Sequence, residues 1–449
     1  MSSPIVPPDT APGEVKDFQV EFLDRRNSGD DETKEENGSE EQVKASTEAP
    51  EFDFPDGGLR AWLVVLGAAL CSTVSFGYVN SWGVFQAYYE KTLLQHLSPS
   101  TIAWIGSIQY SLVLLPALPV GRLFDLGYFR KPFLASSIVL VVGVFLTGQC
   151  TQYWQFMLCQ GILQGLACGC VYAPTNAVIG HWFKKNRGRA MGLMAVGSSV
   201  GGATFPIAAK RLIVQVGFPW TMRILGFILL VCLAVPNLAL KRRLPPKNVK
   251  GGLFNWAAFK DPAFSYWTLS CLFTFLGLYT VLTYIDVAAT KMGVSEDFSF
   301  YLVAIANASS GFGRLGTSFL VDKIGPINFL LPTTLIAGIA TYAWPFAHSL
   351  ASLITVAVIY GFTCGTYVSA FLLPLYEMGE IQEIGRRTGM VMSIGALGAL
   401  TGPPISGAIN HATGGFEAVG YFAGSVVVVA ALFMMATRQL ILKKAWGKI

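Results

Sequence analysis

The stretch GRLFDLGYFRK, residues 121–131, ends one apolar segment of the chain and leads into the next. Its first part, which ends at Asp125, has a counterpart in SFLVD, residues 318–322, which also closes an apolar segment. Asp125 and Asp322 are 197 residues apart. A motif that recurs at the same point of two apolar segments indicates that the chain contains two similar halves.

The composition of the chain is that of a membrane protein. Of its 449 residues, 53 % are hydrophobic and 13 % are charged, whereas soluble domains average about 25 % charged residues. A helix needs about 20 apolar residues to cross a bilayer, and twelve segments meet this need. They lie near 61–86, 102–121, 133–150, 154–180, 190–212, 220–240, 263–286, 299–321, 328–346, 351–375, 389–410 and 417–437. The sequence therefore predicts an all-α membrane protein, with twelve transmembrane helices in the lipid bilayer as two six-helix pseudo-repeats.

Charged residues are distributed unevenly along the chain. Residues 1–60 hold 16 of the 27 acidic residues and a net charge of −10, and their polar composition predicts a disordered acidic tail in the cytosol. The remainder carries a net charge of +15. Twenty Lys and Arg residues flank the predicted helices on the side of the N-terminus and five on the other side, which predicts that both termini are cytosolic. Because this basic excess follows membrane topology, we expect no nucleic-acid partner.

The predicted organisation is two halves joined by a hinge. A first half at 61–240 is followed by a cytosolic linker at 241–262 and a second half at 263–440, and residues 441–449 form a C-terminal cytosolic tail. The linker is basic and rich in Pro and Gly, as expected for a hinge. Two parallel six-helix halves are the arrangement of a transporter that rocks around a site between them.

Three motifs resemble known transporters. The loop GRLFDLGYFRK is similar to the loop between helices 2 and 3 of the major facilitator superfamily, which usually reads Gly-x-x-x-Asp-Arg-x-Gly-Arg-Lys, although Leu126 replaces its first Arg. DGGLRAW, residues 56–62, and HWFKKNRGRAMG, residues 181–192, resemble the monocarboxylate porter family, particularly its fungal branch. The resemblance covers roughly residues 54–440. It implies the major facilitator fold and transport by alternating access.

Arg314 is the candidate counter-charge for a substrate. A charge at membrane depth costs several kcal/mol unless it faces a watery cavity or a partner. The resemblance to monocarboxylate porters implies that an arginine at this place in helix 8 binds the substrate carboxylate, which its planar fork of donors fits. The alternative is that Arg314 extends toward the cytosolic interface and pairs with Asp322.

The acid porters typically place an Asp one turn before this arginine and a Lys in helix 1. Here Ser310 and Asn80 occupy these places, so a proton-coupled lactate-type mechanism does not carry over. Asn80 remains a candidate substrate contact at the same place in helix 1. A larger or less acidic substrate becomes more plausible.

Other polar residues in the predicted helices are candidates for substrate contacts. Asn307 lies seven residues before Arg314 and therefore on the same helix face. Gln160 and Gln164 share one face of helix 4, where they line a cavity or bond to neighbouring helices. Tyr284 in helix 7 is a candidate contact for an aromatic substrate, with packing as the alternative.

Three charged residues are candidates for gating. Asp125 lies where a carboxylate meets the positive N-terminal end of a neighbouring helix, which the superfamily resemblance implies is helix 11, and this contact would lock the cytosolic gate closed. The alternative for Asp125 is an exposed loop acid. Arg122, in the same motif, and Asp322, at the equivalent place in helix 8, complete the set of gating candidates.

Transport is the predicted function. The chain contains no P-loop, HExxH or Gly-x-Ser-x-Gly motif, so it is not expected to be an enzyme, to use ATP directly or to need a cofactor. We predict a secondary transporter of a small organic compound, a carboxylate or a secondary metabolite, at the plasma membrane by family habit. The absence of the Asp and Lys that the acid porters carry favours export. Protons are a candidate coupling ion. Import of a monocarboxylate or vitamin, and a sensor that transports nothing, are the alternatives.

Overall fold

The computed structural model describes residues 54–246, 252–443 and 447. The acidic tail predicted for residues 1–60 lies outside this range up to residue 53. Part of the predicted linker, residues 247–251, and most of the predicted C-terminal tail, residues 444–446 and 448–449, also lie outside it. Every regular element of the described residues is helical, which confirms the predicted fold class.

Apart from the linker between the two halves, the helices follow one another with short connections. The first four are α1 (Gly58–Leu93), α2 (Thr101–Asp125), α3 (Arg130–Thr147) and α4 (Tyr153–Trp182). A 53-residue helix, Arg187–Ala239, follows, and Gly217 with φ of +77° divides it into the arms α5 (187–216) and α6 (218–239). The others are α7 (Pro262–Lys291), α8 (Glu296–Ile324), α9 (Pro326–Phe346), α10 (Leu350–Tyr376), α11 (Ile384–Thr413) and α12 (Glu417–Leu442).

Most of these helices are suited to a bilayer. Within the described residues, nine helices are long and apolar enough to cross a membrane, and one of the nine is the helix that Gly217 divides. The other two long helices, α8 and α11, fall outside this set because Gly, Ser and charged residues interrupt their apolar surface. The helices lie where the sequence predicts them, but the count of twelve crossings stays a prediction.

The two halves of the chain approach closely along two helix pairs. In the α2–α11 pair, a Cβ atom on Gly121 would lie 2.0 Å from the carbonyl oxygen of Gly385. In the α5–α8 pair, a Cβ atom on Gly192 would lie 2.8 Å from the backbone nitrogen of Ser318. Glycine at these positions therefore allows the backbones of the two halves to touch.

Helix α1 changes its winding before the middle of the bundle. Residues Thr73–Gly77 form a π-helical turn, and a Cβ atom on Gly77 would lie 2.7 Å from the Cα atom of Gly201 in α5. Such single turns often occur at functional sites because they redirect the residues that follow. The residue placed in this way is Asn80, which lines the central cavity described below.

Candidate functional site

A small cavity lies between the two halves. It is lined by residues of α1, α2, α7, α8 and α10, namely Phe76, Asn80, Tyr110, Tyr279, Leu282, Ala306, Asn307, Ser310, Arg314, Gly361, Cys364 and Val368. The structure thus brings together three of the predicted substrate contacts, Asn80, Asn307 and Arg314. It places them at the interface between the halves, where a rocking transporter binds its substrate.

Arg314 connects α8 to α5 through neutral groups. Its guanidinium donates to the Ser310 hydroxyl at 3.2 Å, to the Ala195 carbonyl at 2.9 Å and to the Ser198 hydroxyl. The side chain is only partly buried and lines the cavity. Its hydrogen-bond and ion-pair partners in the described chain include no carboxylate, and Asp322 is engaged elsewhere, as shown below. A positive charge without a negative partner therefore faces the cavity.

Two tyrosines cover the cavity. The ring of Tyr110 in α2 meets the ring of Tyr279 in α7 edge-to-face, with centroids 5.1 Å apart, and the Tyr110 hydroxyl donates to Asn80 at 3.0 Å. Tyr110 lies 15 residues before the end of α2 at Asp125, and Arg314 lies 10 residues before the end of α8 at Ile324. At 1.5 Å of rise per residue, Tyr110 lies about 7 Å farther from the end of its helix than Arg314 lies from the end of α8.

Three predicted substrate contacts lie outside the cavity lining. Gln160 is buried and accepts from the Tyr89 hydroxyl of α1 at 2.6 Å, and Gln164 is buried and donates to Thr147 of α3 at 2.7 Å. The Tyr284 hydroxyl donates to a carbonyl of α11 at 2.9 Å. The structure therefore places all three in contacts between helices, which was the alternative for each of them.

Asp125 binds the N-terminus of α11. Its buried carboxylate accepts from the backbone N–H groups of Gly385 at 3.0 Å and of Arg386 at 2.7 Å. Unpaired N–H groups and the helix dipole make this end of α11 positive, so it stabilises a carboxylate. We call this contact the first latch. Arg122 lies half-buried one turn earlier in α2.

Asp322, in the second half, makes the equivalent contact with the first half. Its carboxylate accepts from the N–H groups of Gly188 at 2.7 Å and of Arg189 at 2.8 Å, at the N-terminus of α5. We call this contact the second latch. Gly188 and Gly385 are 197 residues apart, as are Asp125 and Asp322. The repeat in the sequence is therefore a repeat of two contacts, each of which ties one half to the other at the end of the bundle where α1 begins.

A third contact, which no sequence pattern indicated, closes this end of the bundle. The guanidinium of Arg187 stacks on the ring of Tyr376 at 4.1 Å, and the Tyr376 hydroxyl donates to the Asn176 carbonyl at 2.7 Å. The two halves are thus joined at the end that carries the predicted cytosolic loops. We call it the basic end.

Asp56 braces the loop before α5. One of its carboxylate oxygens accepts from three successive backbone N–H groups, those of Lys184 and Lys185 at 2.7 Å and of Asn186 at 3.1 Å. The Asn186 side chain returns a hydrogen bond to the Asp56 carbonyl at 2.9 Å. This loop leads directly into Gly188 of the second latch. The motifs at 56–62 and 181–192 therefore form one structural unit.

Replacing Asp56 by alanine is expected to destabilise the transporter by about 0.5–2 kcal/mol, because three successive backbone donors lose a charged acceptor. Thermal unfolding of the purified full-length protein in detergent measures the loss as a lower midpoint. Lys185→Ala is the matched control, since Lys185 contributes its backbone N–H to this contact. Equal midpoints for Asp56→Ala and Lys185→Ala would show that Asp56 does not hold the loop.

Comparison with known proteins agrees with the fold. The family model described as Major Facilitator Superfamily matches residues 63–376. The chain belongs to the major facilitator superfamily. This membership identifies it as an integral membrane transporter of a small organic compound, as the sequence predicts. The narrower resemblance to monocarboxylate porters is taken up under the proposed function.

Fungal members of the superfamily are similar over most of their length. The chain is 37% identical over 408 residues to an aspyridones efflux protein of Emericella nidulans, covering 90% of this chain and 83% of that protein. It is 38% identical over 388 residues to an MFS transporter of Aspergillus flavus, covering 86% and 88%. It is 36% identical over 407 residues to a fujikurins efflux protein of Gibberella fujikuroi, covering 90% and 86%.

Solved structures of the superfamily share the fold. The human organic anion transporter MFSD10 matches with a TM-score of 0.66 and 14% identity, over 84% of this chain and 100% of that one. The fucose:proton symporter FucP of E. coli matches with a TM-score of 0.66 and 15% identity, over 84% and 99%. At these identities the likeness concerns the fold alone.

Proposed function

We propose that this transporter exports a secondary metabolite that carries an acidic group, and that Arg314 binds this group. The observation that carries the proposal is the unpaired charge of Arg314 at the cavity. A guanidinium offers two parallel donors to a carboxylate, and this pairing is strong where water is scarce. Relatives named as efflux proteins for aspyridones and fujikurins support secondary metabolites as the substrate class.

The lining of the cavity is chemically suited to a molecule that also has a ring. Tyr110 and Tyr279 line the same cavity as Arg314 with aromatic rings, and Asn80 and Asn307 add amide groups. Aromatic side chains pack well against flat unsaturated rings. We therefore propose that the acidic group lies against Arg314, and that the ring lies between the tyrosines and the asparagines.

Substrate binding would weaken the Arg314 contact between α8 and α5, which lies beside the second latch. Arg314 holds α5 through Ala195 and Ser198, and Asp322 holds the same helix through Gly188 and Arg189. A substrate anion competes for the donors of Arg314 and so weakens one of the two contacts between α8 and α5. In this proposal, the energy of binding lowers the cost of separating the halves, as alternating access requires.

Export is the direction we propose, with the basic end in the cytosol and the protein in the plasma membrane. Among the described residues that line the cavity, none is acidic, so a proton carried beside the substrate has no carboxylate there.

We also propose kinship with the fungal branch of the monocarboxylate porters. The contact between the two motifs of that resemblance, at Asp56, supports it.

A paired metabolite profile tests this function. Cells and medium of the source organism, with and without the gene, are compared by mass spectrometry, and an acidic compound is expected to accumulate inside the deletion strain. The compound is then loaded into vesicles that contain the purified transporter, where its free acid is expected to cross faster than its methyl ester. A compound left behind in the medium of the deletion strain would indicate import instead. Absence of flux in the vesicles would favour a sensor.

A further inference from the structure

A second pocket lies on the outer side of the first half, near the basic end. It lies between α2, α3 and α4. Its lining consists of Val120, Leu123, Phe124, Tyr128, Phe129, Pro132, Phe133, Ser136, Cys170 and Pro174. Only three of these ten side chains carry a polar atom, so the pocket suits a hydrocarbon. It shares no lining residue with the central cavity.

The pocket opens on the surface of the transporter. Leu123, near the end of α2, is 38% exposed, and Tyr128, in the following loop, is 64% exposed. Phe129, just before α3, and Phe133, on α3, form a buried wall, and Cys170 lies on the α4 side. An exposed leucine and tyrosine at the end of a transmembrane helix are typical of the zone where lipid chains meet headgroups.

The rim of the pocket is positively charged. Arg130 and Lys131 are exposed on the first turn of α3, between the lining residues Phe129 and Pro132. The nearest acid in the sequence, Asp125, directs its carboxylate to the N–H groups of α11. Two exposed cations beside an apolar pocket complement a ligand with a negative head and an apolar chain.

We propose that this pocket binds an acyl chain of an anionic phospholipid, whose headgroup Arg130 and Lys131 hold. The position fits the leaflet at the basic end of the bundle. The bound chain touches Phe124, which immediately precedes Asp125 of the first latch. The phospholipid therefore contacts the segment of α2 that joins the two halves.

Lipid binding to the purified full-length transporter tests the proposal. Native mass spectrometry follows retention of added phosphatidylserine or phosphatidylcholine with identical acyl chains. Each cation near a membrane surface contributes a few-fold in affinity, so we expect about 10- to 30-fold tighter binding of phosphatidylserine. Arg130→Gln with Lys131→Gln is expected to abolish this preference. Lys185→Gln with Lys260→Gln, which also removes two exposed positive charges, is expected to keep it.

The pocket itself is tested by filling it. Ser136→Phe is expected to lower retention of both lipids at least 10-fold, because the ring occupies the space of the chain. Ile138→Phe is the matched control, since Ile138 is an exposed residue of the same helix outside the pocket lining. Equal retention of the two lipids by the unmodified transporter, or full retention by Ser136→Phe, would overturn the proposal. Retention unaffected by every variant would indicate surrounding lipid only.

Discussion

Replacing Arg314 by glutamine is expected to lower transport of an acidic substrate about 30- to 150-fold, which corresponds to the loss of about 2–3 kcal/mol of charge-assisted hydrogen bonding. Arg314→Lys keeps the charge but presents it as a point, so a smaller loss is expected. Uptake of the free acid and of its methyl ester into vesicles, measured side by side, isolates the charge. The unmodified transporter should prefer the acid, and Arg314→Gln should transport the two about equally.

Two further variants separate binding from packing. Ser198→Ala removes one neutral partner of Arg314 and leaves its charge, so it should retain the preference for the acid. Arg223→Gln makes the same change at an arginine that stacks on Trp220, outside the cavity, and should transport normally. If Arg314→Gln and Arg314→Lys both transport the acid normally while folded in the membrane, Arg314 does not bind the substrate.

Replacing Asp125 by asparagine is expected to open the basic end of the bundle more often. The variant keeps the shape of the side chain but removes the charge that faces the N-terminus of α11, which is worth about 1–2 kcal/mol. Hydrogen exchange at the N–H groups of Gly385 and Arg386 should therefore rise about 5- to 30-fold. Since both latches separate when the halves part, exchange at Gly188 and Arg189 should rise by a similar factor.

This second effect distinguishes a gate from a local helix cap. Asp261 provides the comparison, because its carboxylate accepts from the N–H of Ala263 at 2.9 Å at the start of α7, within one half. Asp261→Asn should raise exchange near Ala263 and leave both latches unchanged. A rise limited to Gly385 and Arg386 in Asp125→Asn would mean that the first latch only caps α11. Asp322→Asn is expected to give the reciprocal result.

The candidate substrate site at Arg314 and the second latch at Asp322 both join α8 to α5. A change at one of them is therefore expected to affect the other. Arg314 and Asp322 both lie on α8 and both contact α5, eight residues apart. A variant at Arg314 therefore changes substrate binding and one contact between the halves at the same time. Hydrogen exchange at Gly188 in the Arg314→Gln variant, compared with Ser198→Ala, separates the two contributions.

The sequence by itself determined the class of the fold and its internal repeat. Apolar segments of membrane-spanning length are a local property, because each helix satisfies its own backbone hydrogen bonds in lipid. The repeat of Asp125 and Asp322 could be read from the sequence alone. The resemblance to the superfamily predicted that Asp125 contacts α11. Arg314 could be recognised as a candidate from the sequence because it is a charged residue within an apolar segment.

Only the tertiary structure decided which polar residues meet at the cavity. Helical spacing shows that Gln160 and Gln164 share a face, but the face of one helix does not reveal its neighbour. The structure turns that face toward Tyr89 and Thr147, whereas Asn80 and Asn307 reach the cavity. Tyr110 gave no signal at all, since its role depends on a ring from the other half. These contacts are set by the packing of distant helices, which no local pattern encodes.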